Sequence, residues 1–362
     1  MNQIRVLVVT TTYLGYDGIT SVIMNYYRNI DRSKVQFDFA LGHGAEEWVK
    51  EEIEKLGGEI YELPSRKKKT FRYIKELKRL IDKNNYKIVH AHGNSGTLYF
   101  DIHAAKCAKV PVRIAHCHNS TCNNKVIHYL LKLFLNNETT IALACSKLAG
   151  DWLYNKPYTI LNNGIQIEKF IFNNSIREEY RKKLGITDNF VLGHIGHFSY
   201  QKNHEFLLDI FFEVHKMNPK AKLMLVGDGN LRADINKKIN DLGIDKDVLI
   251  LGKRKDVSQL IHAMDVFVFP SRFEGLPVVL VEVQASGLHC IVADTVTQEA
   301  QITGKVEYIS LDKTPLYWAE QIIKYKDTYK RDNACEVFLE SEYNIENEAK
   351  RLQEIYLLNS GR

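Results

Sequence analysis

Residues 266–282 read Val-Phe-Val-Phe-Pro-Ser-Arg-Phe-Glu-Gly-Leu-Pro-Val-Val-Leu-Val-Glu. Val266 to Pro270 is an apolar run of strand length, the pattern of a strand buried on both faces in a parallel sheet. Pro277 suits the first turn of a helix, where its missing N–H is no loss. Glu274 then falls in the connecting loop and Glu282 about one turn inside the helix. Open parallel sheets bind ligands at the carboxyl ends of their strands, and a helix N-terminus favours an anion such as a diphosphate. The stretch thus predicts an α/β fold together with a site carrying a carboxylate at each of two levels.

The same pattern extends outward on both sides. Phe190 to Gly196, Lys222 to Val226, Val248 to Leu251 and Leu288 to Ala293 read as further strands, with a helix over His204 to Lys216. Gly193 and Gly196 bracket His194 and permit close backbone approach, while Lys202 offers a mobile point charge suited to phosphate. Asp228, between Gly227 and Gly229, reads as a turn residue. Upstream, Ile4 to Thr10, Val35 to Leu41, Glu59 to Tyr61, Lys87 to Ala91, Val112 to Ala115, Thr140 to Ala144 and Tyr158 to Leu161 alternate with helical patterns near Thr20–Asn29, Trp48–Leu56, Phe71–Asp82 and Thr97–Ala108. A polar stretch, Asn173 to Asn189, separates the two series. Both are doubly wound α/β domains in this reading, with a cleft at their strand ends.

Bulk properties agree and exclude other classes. The chain has 362 residues, 45% hydrophobic and 26% charged, with a net charge of +5. At about 150 residues per domain this is two domains. Disorder, collagen repeats and a pure coiled coil are excluded by composition, and the charge excess is too small to argue for nucleic acid. The six cysteines form no CxxC pair or disulfide framework. No apolar stretch is long enough to span a membrane, so cytoplasmic residence is expected. Basic charge is concentrated at Arg66, Lys67, Lys68 and Lys69. A solvated turn before a helix is the bland reading; contact with an anionic membrane surface or a lipid phosphate is the sharper one.

Three features of the first half carry candidate chemistry. Gly15-Tyr16-Asp17-Gly18 follows the first strand but is not a dinucleotide fingerprint; it is either a plain turn or a close backbone approach to a ligand, with Thr20 and Ser21 hydroxyls to cap the helix. His90-Ala91-His92 and His116-Cys117-His118 end two strands, and residues two apart on a strand face the same way. Zinc ligands, ordinary core histidines and polar groups lining a substrate site compete for these pairs. Zinc lacks a local carboxylate, and Asp101, Asp265 and Asp294 stand isolated in sequence.

Taken together, Glu274 to Glu282, an acidic pair with seven intervening residues, in its Phe-Pro-Ser, Glu-Gly and Pro setting, resembles the retaining GT-B glycosyltransferases of family four, in particular the bacterial branch that builds capsular and extracellular polysaccharides. Gly15 to Gly18, His116 to Asn119 and Asn163-Gly164-Ile165 match along with it, so the resemblance covers nearly the whole chain. It implies a GT-B fold of two Rossmann-like domains facing across a cleft: an acceptor domain over 1–168, with the C-terminal helix at 343–362 packing back on it, and a donor domain over 169–342.

By position, the resemblance implies that Glu282 grips the nucleotide ribose and Glu274 touches the donor sugar. Lys202 neutralises the leaving diphosphate, and Gly18, Gly196, His197, Gly275 and Leu276 complete the donor-binding set. His118 is the implied active-site histidine, with His116 as second choice. The implied reaction moves a hexosyl or N-acetylhexosaminyl group from a nucleotide sugar, a UDP-sugar by family expectation, to a lipid-linked or membrane-associated saccharide with retention. No metal and no cofactor beyond the donor are implied, and no nucleic-acid partner. Peripheral membrane contact would run through Arg66 to Lys69, on the inner face of the cell membrane. One departure stands out: His197 occupies the place of a usual arginine, which would hold a permanent charge on the diphosphate. An epimerase of the same shape and a non-catalytic nucleotide-sugar-binding protein are the rival readings.

Overall fold

The computed structural model describes residues 3–326, 331 and 335–361; positions 1, 2 and 362, which the domain reading included, lie outside it, as does the Cys335 side chain. The chain forms two compact units, Met1–Gly164 with Ile345–Arg362, and Ile165–Asn344.

The first unit is built on seven strands: β1 (Ile4–Thr10), β2 (Val35–Leu41), β3 (Ile60–Glu62), β4 (Ile88–Gly93), β5 (Val112–Cys117), β6 (Ile141–Ala144) and β7 (Thr159–Ile160). They pair in parallel in the order β3-β2-β1-β4-β5-β6-β7, reversing direction of travel beside β1. Burial on both faces explains why β1 reads as a nearly continuous apolar run, and β2 and β4 are buried along their whole length although they carry Gln36 and Asp38, and His90 and His92. The one acid inside β2, Asp38, is tolerated because Arg5 Nε (2.7 Å) and the Tyr86 hydroxyl (2.7 Å) both donate to it.

The first helix is Gly18–Asn29, two residues longer at its start than the sequence pattern indicated. Its cap is Asp17, not a hydroxyl of Thr20 or Ser21: the carboxylate accepts from Thr20 N (3.0 Å) and Thr20 Oγ1 (2.8 Å), and Thr20 Oγ1 in turn accepts from Gly15 N (2.8 Å). The final helix, Ile345–Asn359, packs in this same unit against Gly18–Asn29. Buried Glu348 accepts from Asn162 N at 2.8 Å, and the Tyr356 ring lies edge-on to Phe37. Gly164 makes the junction possible, since a Cβ there would sit 2.8 Å from Ile345 Cα.

The second unit has six parallel strands: β8 (Phe190–Ile195), β9 (Ala221–Val226), β10 (Val248–Gly252), β11 (Val266–Phe269), β12 (His289–Ala293) and β13 (Val306–Ile309), in the order β10-β9-β8-β11-β12-β13. The stretch Asn173 to Asn189 is not a bare separator. Most of it is the helix Asn174–Leu184, whose Arg177 and Arg181 reach Asp265 at 2.5 and 3.1 Å, while Asp265 accepts from Val191 N at 2.7 Å. Asp265, isolated in sequence, thus ties this helix to the entry of β8. The helices Lys125–Glu138, Arg232–Asp241, Val257–Ala263 and Pro315–Ile323 went unassigned from sequence.

Candidate active site

In the second unit the loops after β8, β9 and β11 converge through backbone contacts. Gly196 N donates to Val226 O (3.0 Å), and Phe198 N to Asp228 O (3.0 Å). Gly227 has φ +140°, and a Cβ on it would lie 2.1 Å from Gly196 O. Only glycine permits two loops to cross this closely. Asp228 accepts from Gly229 N at 2.9 Å, as a turn residue does. The Gly196-His197 peptide therefore presents a fixed edge, with His197 exposed upon it.

The turn Tyr200–Lys202 is fastened to the loop after β11 along its length. Arg272 N donates to Gln201 O (2.8 Å), the Arg272 guanidinium to Tyr200 O (2.6 Å), Gln201 Nε2 to Glu274 Oε2 (2.9 Å) and Lys202 Nζ to Glu274 Oε1 (2.7 Å). Lys202 Nζ also lies 4.5 Å from the Phe269 ring centroid. Glu274 is buried, as is Leu276. Gln201 and Arg272, which sequence reading passed over, position this carboxylate; no spacing signal marks them.

Pro277 sits at the N-cap of the helix Val278–Ala285, one residue before the first turn expected for it, because its extended ψ of 111° ends the loop. Glu282 follows in that helix. Its side chain keeps some exposed surface, yet burial pushes its carboxyl up to about 7. No charged or polar side chain among the described residues pairs with it. A carboxylate so placed is set to accept hydrogen bonds from an incoming hydroxylated group. A further cation, Arg232, reaches Asp228 (3.7 Å) and lies 5.7 Å from the Phe198 ring centroid. Its signal in sequence is an arginine three residues beyond the Gly227–Gly229 turn.

In the first unit the β4–β5 register places His92 opposite His116. The four rings of His90, His92, His116 and His118 form one buried stack, with His90–His92 centroids 4.0 Å apart and His116–His118 4.2 Å apart. His92 Nδ1 lies 2.9 Å from His118 Nε2; His90 Nδ1 meets the Tyr356 hydroxyl at 2.6 Å and its Nε2 meets His116 Nδ1 at 3.3 Å. Burial holds His118 down at about 4 and pushes His90, His92 and His116 well below the ordinary imidazole range. All four are uncharged at neutral pH.

One nitrogen each from His90, His92 and His116 falls within 4.8 Å of the others. His90 Nε2 and His116 Nδ1 are engaged with each other at 3.3 Å and His90 Nδ1 with the Tyr356 hydroxyl, and among the described residues no carboxylate or thiol joins the three. Gly18 stands at the first position of its helix. A hollow of about 310 Å³ opens at the ends of β2 and β3, lined by residues that include His43, Glu62 and Ser65.

Arg66 corrects the sequence reading of the basic run. Its guanidinium is drawn inward to Asp101 (2.5 Å) and the Thr97 carbonyl (3.1 Å), and Tyr73 donates to the same carboxylate at 2.6 Å. With 12% of its side chain exposed, Arg66 is committed to anchoring the loop and is not available to a membrane. Lys67, Lys68 and Lys69 remain exposed. No helix among the described residues is long and apolar enough to cross a membrane.

Comparison with known proteins agrees with this architecture. Residues 16–169 match the profile of Glycosyltransferase Family 4, and residues 176–336 that of Glycosyl transferases group 1. The chain is 34% identical to a putative glycosyltransferase of Bacillus subtilis (strain 168), EpsF, over 99% of this chain and 98% of that one. It is 30% identical, over 62% of each chain, to an Escherichia coli UDP-Gal:alpha-D-GlcNAc-diphosphoundecaprenol alpha-1,3-galactosyltransferase. Among solved structures, Anabaena Alr3699/HepE in complex with UDP-glucose superposes with a TM-score of 0.83 at 18% identity, covering 98% of this chain and all of that one. With two doubly wound units, each matched by its own profile, and a full-length relative above the level where descent is secure, the chain belongs to the GT-B glycosyltransferases of family four.

Proposed function

We propose that this glycosyltransferase moves a hexosyl or N-acetylhexosaminyl group from a UDP-sugar to a lipid-linked or membrane-associated saccharide, with retention at the anomeric carbon, in polysaccharide biosynthesis. The observation that carries the donor assignment is Glu282: a partly buried carboxylate without a protein partner, in the first helix after β11. UDP-glucose in the Anabaena protein and the lipid-linked acceptor in the Escherichia coli relative's name support the substrate classes.

In this reading the Ile165–Asn344 unit takes the donor. Glu282 accepts from the ribose hydroxyls, Glu274 from the sugar, and the Gly196-His197 edge and Leu276 N–H lie along the diphosphate. Lys202 and Arg232 supply the positive charge that a departing diphosphate requires. The acceptor oxygen forms its bond to the anomeric carbon on the face from which the phosphate oxygen leaves, and the acceptor proton passes to that phosphate. Positioning and charge stabilisation then supply the catalysis. His118, uncharged, donates or accepts a hydrogen bond at the sugar and is not a classical base.

Thermal stabilisation by UDP-, GDP- and ADP-sugars tests the donor site, since a ligand bound only by the folded state stabilises it by about 2.7 kcal/mol at a hundred times Kd. The expected result is a shift with UDP-sugars that Glu282→Ala abolishes. No shift at millimolar concentration in folded protein would defeat the proposal. The anomeric configuration of the product, read by NMR coupling, decides retention; donor turnover without acceptor to an epimeric sugar would favour the epimerase instead.

A further inference from the structure

Away from the strand ends, the helices Tyr99–Cys107 and Lys125–Glu138 bring three reactive side chains together on the first unit. Cys107 is the last residue of the first helix and is exposed. His103, four residues earlier and so on the same helix face, sets its Nε2 3.5 Å from Cys107 Sγ. Its other ring nitrogen, Nδ1, lies 3.0 Å from Glu138 Oε2, at the end of the second helix. A ring nitrogen that faces a carboxylate carries the proton, so Nδ1–H donates and Nε2 keeps its lone pair toward the sulfur. Thiol, imidazole and carboxylate stand in the order that activates a nucleophile, with a base in reach of it and a third group orienting the base.

The surroundings hold that order in place. Glu138 is buried, and Lys106 Nζ donates to its other oxygen at 3.1 Å. The Tyr99 hydroxyl lies 3.3 Å from His103 Nδ1, and the Tyr99 ring centroid is 5.0 Å from that of the imidazole. Arg113 Nε donates to the Glu138 carbonyl at 2.8 Å, which fixes the end of the second helix. Lys106 and Lys109, both exposed, flank Cys107 in the chain and give it the electropositive setting of reactive thiols. The other described cysteines differ. Cys117, Cys145 and Cys290 are buried, and burial pushes the thiols of Cys117, Cys122 and Cys290 up. Among the described residues Cys107 is the one exposed cysteine.

We infer that Cys107 is a nucleophilic thiol with His103 as its base, and that it forms mixed disulfides with low-molecular-weight disulfides. Cys107 gives its proton to His103 Nε2 as its sulfur bonds to one sulfur of the incoming disulfide. The S–S bond of that disulfide breaks, and its second sulfur leaves as a thiolate that takes the proton from the imidazolium. The disulfide is the oxidant, so the exchange balances with one thiol released per thiol consumed. Glu138 stabilises the imidazolium while it exists. The cluster is remote from the proposed chemistry, since Cys107 precedes β5 and His118 follows the other end of that strand. The inference stands apart from the donor and acceptor assignments.

The test is the rate at which the full chain, reduced and folded, reacts with dithiodipyridine at about pH 7. This disulfide is uncharged, so the nearby lysines do not attract it, and its thiopyridone product is read by absorbance. One thiol should react at least about threefold faster than glutathione, a modest gain because an activated sulfur is also a weaker nucleophile. Cys107→Ser should remove that phase, and mass spectrometry of the wild-type product should place the adduct on Cys107. His103→Gln should slow the phase at least about fivefold with melting temperature unchanged, and free imidazole in the buffer should restore part of the rate. The comparison with glutathione needs no variant to fold. A wild-type chain with no thiol faster than glutathione would overturn the inference. So would a fast phase that survives Cys107→Ser, a His103→Gln rate equal to wild type, or a loss that imidazole leaves untouched.

Discussion

Lys202 Nζ lies 2.7 Å from Glu274 Oε1, with 15% of the lysine and 7% of the glutamate side chain exposed. The cation proposed for the diphosphate and the carboxylate proposed for the sugar are therefore paired with one another across 72 residues of sequence. Each keeps the other tolerable in a largely buried place.

Breaking one member of such a pair costs about 3–5 kcal/mol, because the survivor is left charged and buried. Lys202→Ala is expected to lower stability by an amount toward the lower end of that range, since Gln201 still donates to Glu274. The Lys202→Ala/Glu274→Ala double variant should lose less than the sum of the single losses. Urea unfolding of the four proteins gives the coupling; strict additivity would mean the pair contributes nothing.

Glu282 provides a pH test. Its folded carboxyl titrates at about 7, raised by burial above its unfolded value. The folded state thus holds this proton more tightly, so the associated stability is full below about pH 4 and is lost as pH rises through 7. Glu282→Gln should be the more stable protein at about pH 8, with the gap closing toward pH 4. If the carboxylate accepts from the ribose, UDP binding to wild type should tighten from about pH 6 to 8 and stay level in Glu282→Gln. Parallel pH slopes by calorimetry would separate Glu282 from the nucleotide.

His92 Nδ1 stands 2.9 Å from His118 Nε2, both uncharged, so one ring donates and the other accepts. His92→Phe removes the partner that sets the His118 tautomer. A fall in kcat of up to about 100-fold is expected, with UDP affinity unchanged. His92→Gln, which keeps a hydrogen-bonding group, should recover part of it. Equal loss in both variants would reduce His92 to packing.

His197→Arg restores a permanent charge at the exposed Gly196-His197 edge. UDP affinity should rise by about tenfold, the worth of a charge-assisted hydrogen bond. The guanidinium also brings several fixed donors to the departing diphosphate, so turnover in the variant should rise as well. Unchanged UDP affinity and unchanged turnover would remove His197 from leaving-group stabilisation.

Gly227→Ala tests the loop crossing. Its φ of +140° and the 2.1 Å separation from Gly196 O leave no space for a methyl group. A loss of more than about 1 kcal/mol is expected, with weaker UDP binding from the displaced Gly196 edge. Unchanged melting and binding would show the loops able to part.

Much of this protein was legible because its signals are local. A parallel strand declares itself by a continuous apolar run, as in Val266–Phe269, and the site loops follow from where such runs end. Both glutamates and Lys202 were found this way. Elements whose stability is tertiary were missed: Lys125–Glu138 presents its leucines to the outside, so its apolar pattern does not mark a core face, and Asn174–Leu184 is too polar to look like a packed helix.

By itself the sequence determined the alternation of strand and helix, the two-unit organisation and the residue types at the strand ends, since backbone periodicity and turn chemistry act over a few residues. Tertiary structure alone decided which charges are already spent. Arg66 is turned from a free cation into a clamp by Asp101, 35 residues away; the β4–β5 register stacks four imidazoles and holds them neutral; and the last helix joins the first unit through Glu348 and Tyr356. Those outcomes depend on burial and on partners brought together by sheet register, and no local spacing encodes either.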